Sequence, residues 1–118
     1  MWSWETIEDN YRHMIERSPQ KETVFQARAM LKIIPRLRAD IRFEFTPPHV
    51  VHASLCFAIE SVDEVVCIWA ETDDHYSICL FYPDQTTSAE VIVPLARVPD
   101  TAAAYLEQLR AHAHPTAR

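Results

Sequence analysis

The chain has 118 residues, 48% of them hydrophobic and 24% charged, with a formal net charge of −6 and not one glycine. That balance is globular and too apolar for disorder, and the length suits a single domain over residues 1–118. The missing glycine excludes a P-loop, a G-x-G-x-x-G turn and a G-x-S-x-G nucleophile elbow, each of which needs a backbone without Cβ.

The charge is segregated. Residues 1–42 carry eight Lys/Arg against six Asp/Glu, and residues 43–118 carry three against eleven. The acidic part argues against a nucleic-acid partner, because such binding rests on phosphate neutralisation. There is no apolar run long enough to span a bilayer and no basic-then-apolar leader, so the expectation is a cytoplasmic protein without a membrane partner. Cys56, Cys67 and Cys79 form no C-x-x-C pair and read as small buried hydrophobes.

In chain order, Trp4, Ile7, Tyr11, Met14 and Ile15 recur at helical spacing and predict a helix over 4–17, capped by Ser3. Ser18-Pro19 separates it from a second helix over 19–34, with Ser18 as cap and Pro35 as terminator or kink. From residue 41 the period changes to two. Ile41, Phe43 and Phe45 predict a first strand closed by Pro47-Pro48. Four further strands are expected near 53–60, 64–71, 75–82 and 89–95. A last helix opens at Pro99-Asp100 and carries Ala102, Leu106, Leu109 and Ala113 inward, the tail beyond about residue 113 fraying. The fold class is therefore α+β: two layers, two N-terminal helices, a five-stranded mostly antiparallel meander and a C-terminal helix.

A three-residue turn at Ser61-Val62-Asp63 sets Leu55 against Trp69 and Phe57 against Cys67. A two-residue turn at Asp73-Asp74 sets Trp69 against Ile78 and Cys67 against Leu80. Together they place Leu55, Phe57, Ile59, Val65, Cys67, Trp69, Tyr76, Ile78, Leu80 and Tyr82 under the helices. Ala58, Val66, Ile68, Cys79 and Phe81 then fall on a second apolar face, expected to be covered by the C-terminal helix, a second copy or a partner. In that register Cys67 and Cys79 lie on opposite sides, and no internal disulfide fits.

Few residues suggest chemistry. His49 and His52 form an H-x-x-H pair without a third ligand, so no metal is assigned, although the pair itself leaves that open. Glu71, Asp73, Asp74 and His75 gather at a hairpin tip, where turn chemistry explains them better than acid–base work. Arg28, Lys32 and Arg36 form a charged helix face suited to docking an acidic partner. Trp69, Tyr76 and Tyr82 are pocket candidates between helices and sheet. No Ser/His/Asp arrangement is visible, no catalytic residue is assigned and no cofactor is implied.

The general plan is similar to that of small bacterial accessory proteins such as immunity proteins, antitoxins and secretion chaperones, with no motif naming a family. The leading expectation is a non-enzymatic interaction module that forms a homodimer. The alternative is a small-molecule-binding domain or weak enzyme with a pocket between the helices and the sheet. A third reading has the acidic half inhibiting a basic nuclease or toxin.

Overall fold

The computed structural model describes residues 2–46, 48–59, 62–82 and 87–113. Its elements are α1 (Trp4–Arg17), α2 (Lys21–Arg38), β1 (Pro48–Val51), β2 (Ser54–Ile59), β3 (Val62–Ala70), β4 (His75–Phe81), β5 (Thr87–Pro94) and α3 (Val98–Ala113). Short 3-10 turns at Ile41–Phe43 and Leu95–Arg97 precede β1 and α3. The five strands form one antiparallel sheet in meander order. The α+β plan is therefore the expected one.

Ser3 caps α1 by accepting the Thr6 N–H, and Ile7 and Tyr11 are its buried residues. Ser18 ends α1 but does not cap α2: Gln20 is the N-cap, and the Ser18 hydroxyl accepts the Gln20 N–H instead. α2 continues past Pro35 to Arg38. The proline removes one helical hydrogen bond, but Ile34 and Leu37 on either side are fully buried, and Arg38 is tied to Glu5 and Glu8 of α1. Packing outweighs the local defect.

The expected strand at 41–46 is a correction. Asp40 accepts the Arg42 N–H and nucleates a 3-10 turn, leaving Ile41 78% and Phe45 88% exposed while Phe43 is buried against the Phe57 ring. The alternation of apolar and polar residues there imitates a strand without a partner to pair with. The first strand begins instead at Pro48, a position an edge strand tolerates because proline needs no ladder donor. His52, in the β1–β2 turn, has φ of 56°. A chain with no glycine must place a side-chain-bearing residue in the left-handed region here, and histidine tolerates it better than a β-branched residue would.

The register of the central hairpins is a second correction. Leu55 pairs with Ile68, Cys56 with Cys67 and Phe57 with Val66, followed by a bulge before Ile59, which pairs with Val62. Cys67 pairs with Cys79, Ile68 with Ile78 and Ala70 with Tyr76. Val62 thus belongs to β3, not to a turn, while Glu60 and Ser61 lie outside the described residues. The loop between β3 and β4 takes four residues, not two. The His75 carbonyl accepts both Glu71 and Thr72 N–H groups, and the Thr72 hydroxyl accepts those of Asp74 and His75.

Each hairpin is slipped by one residue from expectation, and the two slips cancel between β2 and β4. Only β3 turns over. Val66, Ile68 and Ala70 therefore face the helices together with Leu55, Phe57, Tyr76, Ile78 and Leu80. These residues share one core cluster with Met30, Ile33 and Ile34 of α2 and Val98, Ala102, Leu106 and Leu109 of α3. All three helices contribute residues to that one core cluster. The tail at 114–118 lies outside the described residues.

Candidate functional site

Two polar contacts between α2 and the sheet fix the geometry from which the surfaces follow. The Tyr76 hydroxyl donates to the Ala29 carbonyl at 2.6 Å, with the ring fully buried, and burial pushes its hydroxyl up to about 12. The Gln26 amide donates to the Ala70 carbonyl at 2.6 Å and accepts the Ala70 N–H at 3.0 Å. Both main-chain groups of Ala70 thus point away from β4. Antiparallel pairs alternate, so Ala70–Tyr76 is a non-hydrogen-bonded pair, Trp69–Ser77 a bonded one and Cys67–Cys79 a bonded one.

Continuing the alternation across the sheet, Ile78–Val91 and Tyr76–Val93 are bonded pairs in which the β5 groups point at β4. The main-chain groups of Glu90 and Ile92 consequently point outward, at the open edge of the sheet. Val91 is 36% and Ile92 56% exposed, one on each face of this strand. An edge of eight residues with exposed β-branched side chains is a template for strand addition, and β5 carries a single charge, Glu90.

The sheet face away from the helices has its own character. His49, Cys56, Cys67, Cys79 and Glu90 form one row across all five strands. The three thiols are buried, yet they stand outside the helix-side core cluster, as do the half-buried Trp69 and Phe81. Glu90 reaches over this row: its carboxylate accepts the Ser77 hydroxyl at 3.0 Å. Burial first, and then Glu90, push the Cys79 thiol up to about 12. Among the described residues no group of three His, Cys, Asp or Glu is arranged to hold a metal ion.

Of the five residues expected on one docking face, the structure keeps Cys79 and Phe81 on the far side. It moves Val66 and Ile68 to the helix side, fully buried, because β3 is turned over. Ala58 sits at the β2 bulge and packs against the core. The pocket candidates are likewise separated. Tyr76 is core, Tyr82 packs against that core, and Trp69 lies on the other face with its indole N–H donating to Glu71.

Arg28 and Lys32 of the expected charged face line a groove of about 470 Å³ with Lys21, Val24, Phe25 and Asp73, between α2 and the β3–β4 loop. The Lys32 ammonium donates to the Asp73 carbonyl at 2.8 Å. Arg36 is exposed and is not among the groove's lining residues. Further along, Arg38 and Arg42 are paired, the latter with Asp40 and with Asp100 of α3. At the hairpin tip, the His75 ring holds the Asp74 carboxyl below the usual carboxylate range, and both are exposed. His49 is half-buried on β1 and His52 is exposed in the following turn.

The expected meander already puts the last strand at a sheet edge; what was missed from sequence is which of its main-chain groups point outward, because register could not be read from periodicity. Val91-Ile92-Val93 between Glu90 and Pro94 is the one local signal that marked that edge. Compared with protein-family models, curated proteins and solved structures, the chain matches none. Among the described residues no helix is long and apolar enough to cross a membrane.

Proposed function

We propose that the protein is a non-enzymatic interaction module that self-associates by pairing β5 with β5 of a second copy. The observation that carries this reading is the outward-facing main chain of Glu90 and Ile92 beside the exposed Val91 and Ile92 side chains. Antiparallel pairing centred on Val91 sets Val91 against its own copy and Glu90 against Ile92 of the other chain. The strand's only charge then meets no like charge, and Pro94, with no N–H to offer, ends the ladder. The two helical layers lie on the same side of a continuous ten-stranded sheet, and the union is isologous, as two-fold dimers are.

Light scattering on the eluting protein tests it. The wild type should elute near 27 kDa, twice the 13.7 kDa chain, and Ile92→Lys near one chain mass with an unchanged circular dichroism spectrum. A wild type that elutes at one chain mass at every concentration removes the reading.

A second reading rests on the groove at the start of α2. Lys21, Arg28 and Lys32 beside Val24 and Phe25 suit a small anionic molecule with an apolar part. It replaces the expected pocket on the inner sheet face, where Tyr76 is fully packed. Titration with an aromatic carboxylate, followed by shifts of Phe25 ring protons, decides it: no shift at millimolar ligand removes this reading.

A further inference from the structure

The three cysteines stand side by side on three adjacent strands, with Cys67 in the middle. Their spacing follows from the same alternation that orients β5. The Gln26 bonds to Ala70 make Cys67–Cys79 a hydrogen-bonded pair, with Cα atoms about 5.5 Å apart. Cys67 therefore turns its main chain away from β2, and Cys56–Cys67 is the non-hydrogen-bonded pair, about 4.5 Å apart with the side chains closer. Disulfides need Cα atoms about 4.4–6.8 Å apart, so both spacings qualify. Cys56 and Cys79 are two strands apart, about 9–10 Å, and cannot meet.

We infer that Cys56 and Cys67 form an oxidisable pair that closes a cross-strand disulfide when the protein meets a peroxide, while Cys79 stays a thiol. Cys67, at 7%, is the most exposed of the three. Its sulfur, as thiolate, attacks one peroxide oxygen; the O–O bond breaks, giving a sulfenic acid and, for hydrogen peroxide, water. The Cys56 sulfur then attacks the Cys67 sulfur, the S–S bond forms and a second water leaves. Two thiols have lost two electrons and two protons, and the peroxide has gained them. The narrow pair favours Cys56 as the closing partner. Burial and the Glu90 carboxylate hold the Cys79 thiol protonated.

Hydrogen peroxide treatment of the purified full chain, followed by thiol counting in denaturant, tests the assignment. Wild type should fall from three thiols to one and remain monomeric on a non-reducing denaturing gel. Trypsin cannot map the bond, because no Lys or Arg lies between residues 43 and 96. Cleavage after glutamate separates the cysteines, since Glu60 and Glu64 lie between Cys56 and Cys67, and Glu71 between Cys67 and Cys79. The map should show a Cys56–Cys67 crosslink. Cys79→Ser should lose both remaining thiols and Cys67→Ser neither. Three thiols surviving in wild type, a bond in Cys67→Ser, or a crosslink between chains would each overturn the inference. The wild-type map decides even if a variant does not fold.

Discussion

Gln26 stands in for a missing strand at Ala70. Its side-chain amide satisfies both the N–H and the carbonyl of that residue, on the side of β3 that β2 no longer covers. Removing it strands two part-buried main-chain groups. Gln26→Ala should lower unfolding free energy by about 1–3 kcal/mol, and Gln26→Glu should also destabilise, because a carboxylate cannot donate to the carbonyl. Urea denaturation measures both, and wild-type stability in either would discount the strap.

Ile68 and Ile92 separate the two kinds of apolar residue in this sheet. Ile68 is fully buried under the helices, so Ile68→Lys should cost more than about 3 kcal/mol and abolish the cooperative transition. Ile92→Lys, on an exposed edge, should leave the melting temperature of a dilute sample nearly unchanged. Thermal melts of both variants give the comparison.

Alkali should unfold the protein through its tyrosines. Tyr76 and Tyr11 are raised by burial, Tyr76 from about 10 to about 12, and Tyr11 also donates to the Ala53 carbonyl. For Tyr76 the raised folded value means that its stabilisation is complete below pH 10 and is lost as the pH climbs through 12. Tyr76→Phe should be less stable near neutrality, by about 1 kcal/mol for the lost bond to Ala29, and should show a shallower decline above pH 10. Denaturation at a series of alkaline pH values checks the slope.

The Arg42 bridge to Asp40 and Asp100 is a surface contact, with nearly half the arginine side chain in solvent. Arg42→Ala should cost less than about 1 kcal/mol despite linking the 3-10 turn to α3, and less still in high salt. A larger effect would mean that the bridge positions α3.

Salt should strengthen self-association, because each chain brings a net charge of −6 to the dimer. A complex between the acidic half and a basic partner behaves in the opposite sense. Sedimentation at low and high salt separates the two.

The helices were largely legible because their apolar stripes and caps are local: Trp4–Arg17 coincides with the range read from spacing. Helix α2 overran its expected end because burial of Ile34 and Leu37 offsets the Pro35 defect, which no local rule contains. Strand periodicity identified β2, β3, β4 and β5 but could not weigh loop length. The slip at the four-residue loop and the slip at the Phe57 bulge cancelled, so the two hairpins agreed with each other while both were wrong about β3. The cysteine row was hidden by that same error. The meander order was legible, but the candidate surfaces also depend on register and on which face the helices take, and neither is written in alternation alone.

Hydrogen exchange at the Glu90 and Ile92 amides tests the strand-pairing claim most directly. Both point at the open edge of β5 in a single chain and would be bonded in the pair. Exchange should slow at these two amides as concentration rises through the dimer range, while Val91, already bonded to β4, stays protected throughout. Fast, concentration-independent exchange at Glu90 and Ile92 would contradict it.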